Sequence, residues 1–137
     1  MPICDTSWLI ALLDEDDDHH PSADEQAASG SALLVPAPVL AETLHVLWHR
    51  IRRDHGPVHA HRACRAALDG LERTPTWRVL PEADHGSARD VYDAHPRLSY
   101  VDAVGVAASR RTGEPLWTFD AAQQDALAYS SSVAGAT

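Results

Sequence analysis

The sequence predicts an α/β fold, a three-layer α/β/α sandwich with helices on both faces of a central, mostly parallel sheet. Three observations carry this. Four short apolar runs, Pro2 to Cys4, Ala32 to Val35, Trp77 to Leu80 and Leu116 to Phe119, alternate with longer segments of helical character. Strands separated by helices pair in parallel through crossovers, and strands buried on both faces read as continuous apolar runs. The chain has 137 residues, with no internal repeat and no interdomain linker, so one domain over 1–137 with a single core is expected.

Each element has its own local reason. Pro2, Ile3 and Cys4 make a short first strand, and Thr6 or Ser7 is placed to cap a helix whose apolar stripe is Trp8, Leu9, Leu12 and Leu13. The acidic run from Asp14 to Asp18 reads as a solvated turn. His19-His20 then opens a second helical stretch that ends near Ser29-Gly30, where glycine stops a helix. After the second strand, Pro36 and Pro38 punctuate a turn, and Leu40, Leu44, Leu47, Trp48 and Ile51 recur as the stripe of an amphipathic helix. Gly56-Pro57 breaks it, a further helix runs to about Arg73, and Trp77 to Leu80 is the third strand. Pro81 to Ala94 reads as helical. Ser99 begins another helix, with Val101, Val104, Gly105 and Ala108 on one face and Arg110, Arg111 and Gly113 as stop signals before the fourth strand. After Asp125 the pattern fades. Residues 128–137 read as a frayed tail, with Val133 as a possible edge strand.

Composition narrows the function. At 45% hydrophobic and 23% charged residues, the chain is too apolar for disorder. The formal charge is -9 and all 11 basic residues are Arg, which excludes general, salt-driven capture of nucleic acid by a basic surface. It leaves room for a nuclease whose acidic residues await cations. Cys4 and Cys64 stand far apart without a CxxC pair, so neither a structural zinc site nor a disulfide scaffold is expected. No signal-like leader and no apolar run of membrane-spanning length is present, and a cytoplasmic protein is expected.

Three acidic residues fall just beyond predicted strands: Asp5, Glu42 and Asp120. In open parallel sheets this is the functional edge. Asp102, in the first turn of the helix after Ser99, completes a set of four carboxylates. Four carboxylates gathered together repel one another and call for cations. Ligation by oxygen alone favours Mg²⁺ or Mn²⁺ over Zn²⁺. No Ser-His-Asp or Cys-His arrangement is visible, so the chemistry implied is metal-assisted hydrolysis of a phosphodiester.

The stretches Cys4 to Leu13, Pro38 to Thr43, Leu98 to Ala103 and Trp117 to Asp120 resemble, in order, the four acidic motifs of PIN-domain nucleases. The resemblance covers nearly the whole chain. His19-His20 after the acidic turn is similar to VapC-type members, the toxins of VapBC toxin-antitoxin pairs, and the bare-domain length points the same way. The resemblance implies a Mg²⁺-dependent endoribonuclease, with Mn²⁺ as substitute, in which Asp5 and Asp102 are the main metal ligands. Glu42 and Asp120 would complete the site directly or through water, and Thr6, Ser7 and Thr118 would orient the carboxylates. It also implies an RNA substrate, a VapB-like antitoxin whose tail presents an Arg to the acidic site, and a homodimer. Many relatives carry another acidic or amide residue and an aromatic soon after the last Asp. Here Ala121, Ala122, Gln123 and Gln124 follow, so nothing carries over to a second, tightly held metal.

Every one of these residues also has a plain structural use. Asp5 and Asp120 can cap helices, Ser99 with Asp102 matches a capping box, and Glu42 suits a helix first turn. His45 and His49 share a helical face with Glu42 but lack the HExxH pattern of a zinc site. Arg50, Arg52 and Arg53 sit towards a helix C-terminus, and Trp8, Trp48 and Trp117 suit core or interface positions. Two other functions fit the same motifs: a PIN nuclease of RNA processing or decay, and a PIN-fold module that binds RNA or protein after losing catalysis.

Overall fold

The computed structural model describes residues 1–30, 32–80 and 85–136, with side chains through residue 128. A four-stranded, all-parallel sheet lies at the centre of an α/β/α fold, in the order β3-β2-β1-β4, with β1 at Ile3–Cys4, β2 at Leu33–Pro36, β3 at Trp77–Leu80 and β4 at Leu116–Trp117. Ile3 and Cys4 are both fully buried, which requires helices on both faces of β1. The edge strand β3 is only half-covered, and Arg78 and Val79 are exposed.

Helix α1 spans Thr6–Leu13 and is capped by Asp5, the structural use the sequence allowed for it, and not by Thr6 or Ser7. The Asp5 carboxylate accepts from the Trp8 N–H at 3.0 Å, an orphan donor of the first turn. Helix α2 spans His20–Ala27, with Pro21 in its first turn, where a missing N–H costs nothing. Helix α3, Ala37–His55, starts directly at the end of β2, so Pro36 and Pro38 belong to the strand end and first helical turn. Glu42 is therefore in the second turn of α3, not the first. Gly56, at φ 85°, turns the chain from α3 into α4, Pro57–Arg73, a sign of φ that any other residue would resist.

Helix α5 spans His85–Ala94, and the expected helical start at Pro81 lies outside the described residues. Helix α6, Tyr100–Thr112, opens on a complete capping box between Ser99 and Asp102 and closes on Gly113 in the left-handed region. The last element is a helix, α7, Ala121–Ala136, where sequence analysis expected a tail or an edge strand at Val133. Alanine-rich segments have high helix propensity, and Asp120 supplies the cap that starts this one.

The core has two clusters. One gathers Cys4, Trp8, Leu9, Leu33, Val35 and Val39 from β1, α1, β2 and α3. The other gathers Val91, Leu98, Val104, Val106 and Ala126 from α5, α6, α7 and the loop before α6. Trp8 is fully buried, with Trp117 tilted against it at 5.1 Å and its indole N–H donated to Gln26 Oε1 at 2.8 Å. No described helix is long and apolar enough to cross a membrane. Cys4 and Cys64 are both free thiols.

Candidate active site

The sheet register builds the site. Cys4 pairs with Trp117, so the next residues along, Asp5 and Thr118, meet where the two strands end. Thr118 Oγ1 lies 2.8 Å from Asp5 Oδ2, and Ser7 Oγ lies 3.0 and 3.1 Å from the two carboxylate oxygens. Ser7 also accepts from the Phe119 N–H at 3.0 Å, which ties the first turn of α1 to the loop after β4. Beyond these strand ends is a hollow of about 530 Å³ lined by Asp5, Glu42, Asp102 and Asp120. All four acidic residues singled out in the sequence thus meet at the C-terminal end of the sheet. Thr6 and Ser7 line the hollow too, while Thr118 reaches it through Asp5. Three other hollows among the described residues, of about 460, 400 and 270 Å³, hold no comparable set of carboxylates.

Three of the four carboxylates also cap helices. Asp5 caps α1, Asp102 accepts from the Ser99 N–H at 3.2 Å at the start of α6, and Asp120 accepts from the Ala122 N–H at 2.7 Å at the start of α7. Three helix N-termini therefore converge on one acidic hollow. Their positive ends offset part of the mutual repulsion, which lets the chain fold with these charges together. Asp5 is nevertheless under strain. Burial, reinforced by the Asp102 charge, pushes its carboxyl up from the ordinary 3.8 to about 6, against the hydrogen bonds from Trp8, Thr118 and Ser7.

Gln123, the amide three residues beyond Asp120, has no role in the sequence reading, where it stands only among the residues that depart from the family pattern. It is fully buried. Its Nε2 donates to the Asp102 carbonyl at 3.1 Å, and its Oε1 stands 2.6 Å from Thr118 Oγ1. Gln123 thus joins α6, α7 and the loop after β4. Thr118 has one hydroxyl proton and faces two acceptors, Asp5 and Gln123, so an ionised Asp5 leaves one of them unserved. A proton on Asp5 resolves the count, in keeping with its raised pKa.

Among the described residues, no group of three His, Cys, Asp or Glu side chains is drawn close enough to hold a metal ion. The donor set nevertheless fits a hard divalent cation, because the acidic ligands facing the hollow offer only oxygen. Thr6 lines the hollow, and its Oγ1 is buried without a hydrogen-bond partner. It makes no hydrogen bond to any carboxylate. His45 and His49 are exposed, their rings 4.5 Å apart, and neither lines the hollow.

Residues 3–128 match the PIN domain model, and the chain belongs to the PIN-domain family, whose members are generally nucleases. Among solved structures, the chain is similar to VapC20 of Mycobacterium tuberculosis, a toxin that cleaves the sarcin-ricin loop, with 26% identity over 92% of this chain and 95% of that one and a TM-score of 0.69. It also shares its fold with PAE2754 of Pyrobaculum aerophilum, at 17% identity over 90% of this chain and 82% of that one, with a TM-score of 0.66. No curated protein matches the sequence.

Proposed function

We propose that the chain, as one PIN domain over 1–137, is a Mg²⁺-dependent endoribonuclease, with Mn²⁺ as a substitute, and the toxin of a VapBC pair. The observation that carries this reading is the meeting of Asp5, Glu42, Asp102 and Asp120 in one hollow at the C-terminal end of the sheet. Asp5 and Asp102 are the residues to hold the ion, with Glu42 and Asp120 completing the set. A bound divalent ion lowers the pKa of water and offsets the phosphate charge. The chain's own part is positioning. Ser7 and Thr118 fix the Asp5 carboxylate, Gln123 fixes Thr118 and the first turn of α6, and the three helix N-termini hold the negative charge in place.

The similarity to VapC20 supports the toxin role, an RNA substrate and a VapB-like antitoxin as partner, with a homodimer and a cytoplasmic location as further parts of the reading. Purified protein is expected to cleave RNA with Mg²⁺ or Mn²⁺ and to be silenced by excess EDTA, leaving 5′-phosphate ends. Undiminished cleavage in EDTA would sink the metal requirement, and cyclic 2′,3′-phosphate ends would make the RNA's own 2′-hydroxyl the nucleophile. Induced expression alone should arrest growth, with relief when an adjacent small protein is co-expressed. Unimpaired growth at high soluble expression would favour a nuclease of RNA processing or decay.

A further inference from the structure

The rim of the acidic hollow carries a second construction that none of the metal chemistry uses. His19 and Phe119 stack almost parallel, with ring centroids 4.4 Å apart and planes 7° from one another, and both line the hollow. The stack has a direction. Phe119 is half-buried and packs against the core, while His19 is exposed, so the imidazole lies backed by a fixed ring with its other face towards solvent.

The acidic turn, which the sequence presents as a solvated run, holds this rim in place. Asp17 accepts from the His19 N–H through Oδ1 at 2.9 Å and takes Arg50 Nη1 on Oδ2 at 3.3 Å. Asp14 takes the same Nη1 at 3.0 Å while its other oxygen accepts from the Asp16 N–H. One carboxylate thus sets His19 and Arg50 side by side. Both carboxylates hold Arg50 through the same nitrogen, Nη1. Arg50 is the one guanidinium among the described residues lining the hollow, and it is not in the last turn of α3, where charge alone would place it.

We propose that His19 on Phe119, with Arg50 beside it, is a subsite for one unpaired nucleotide of the RNA, the base stacked on the imidazole and a phosphate on the guanidinium. The proposal deepens the ribonuclease reading and rests on it. A chain of formal charge -9 cannot hold RNA by a general basic surface, so the grip has to come from specific contacts. Stacking on an aromatic face is tolerant of sequence and needs a base free of its helix, which selects loops and single strands over duplex. A guanidinium suits a phosphate because its fork donates to two oxygens at once.

The test uses short single-stranded RNA carrying 2-aminopurine at successive positions, with cleavage kinetics alongside. Wild-type protein should quench the fluorophore at one position. His19→Ala and Phe119→Leu, both checked for native melting, should lose that quench and raise KM by about tenfold, more than they change kcat. His19→Tyr, which restores a flat ring, should recover both. Arg50→Gln should weaken binding for all base identities and reduce the salt dependence by about one ion. Wild type that cleaves the RNA while His19→Ala and Phe119→Leu keep its KM and its quench overturns the subsite alone. Wild type that neither binds nor cleaves any RNA overturns the nuclease reading, and the subsite with it.

Discussion

Asp5→Asn is expected to abolish RNA cleavage and, at the same time, to stabilise the metal-free protein. Asp5 is 1% exposed, and its carboxyl is pushed from 3.8 up to about 6, chiefly by burial. At about 1.4 kcal/mol for each tenfold change in proton affinity, its ionisation at neutral pH costs the fold up to about 3 kcal/mol. The direction in pH follows from proton counts. Between 3.8 and about 6 the folded protein keeps a proton that the unfolded chain has released, so stability falls as pH rises through that window. The gain of Asp5→Asn over wild type should therefore be full above pH 6 and fade as pH falls towards 3.8. The amide keeps the cap to the Trp8 N–H and adds a donor towards Thr118, so the fold loses no hydrogen bond. Asp102→Asn should abolish cleavage too, with a smaller gain in stability, because its amide oxygen still accepts from the Ser99 N–H while the loss of its charge relieves Asp5. Added Mg²⁺ should raise the melting temperature of wild type more than that of either variant. Melting curves across pH, with and without Mg²⁺, beside a cleavage assay decide the matter, and an active Asp5→Asn protein would remove the case for the site.

The same residues show how much of the molecule was legible in the sequence. The four strands, the parallel sheet and the acidic set could be read because each rests on local pattern: an apolar run, a helical stripe, a carboxylate just past a strand. Capping and site-building looked like rival explanations of Asp5, Asp102 and Asp120. In the fold they are one arrangement: α1 and α7 start where β1 and β4 end, which brings the caps Asp5 and Asp120 to the functional edge, and α6, entered from the loop after α5, brings Asp102 to the same hollow.

What stayed hidden depends on partners distant in sequence. The run from Asp14 to Asp18 has the composition of a solvated turn, and only the α3 contact shows Asp14 and Asp17 holding Arg50. The stack of His19 on Phe119 joins residues from opposite ends of the chain, and no periodicity reports it. The last helix was missed for a different reason. A stretch of small residues has no apolar stripe to reveal it, although alanine favours the helix in its own right.

Gln123→Leu should separate what holds the site from what merely fills the core. The side chain is fully buried, and its amide bridges Thr118 and the Asp102 carbonyl, so its loss should cost about 1–3 kcal/mol at neutral pH and weaken cleavage by loosening the first turn of α6. A packing defect alone would do the first of these. The distinguishing effect is on Asp5. In wild type Gln123 Oε1 competes for the single Thr118 proton, and removing it leaves that proton to the Asp5 carboxylate, which favours the ionised form. The pKa of Asp5 should fall. The pH window over which metal-free stability declines should then end lower than in wild type, and the acid limb of cleavage should move the same way. Those two shifts, read from melting curves and from the pH profile of cleavage, tie Gln123 to the chemistry of Asp5. A variant that is less stable but keeps the wild-type pH dependence in both would make Gln123 a packing residue only.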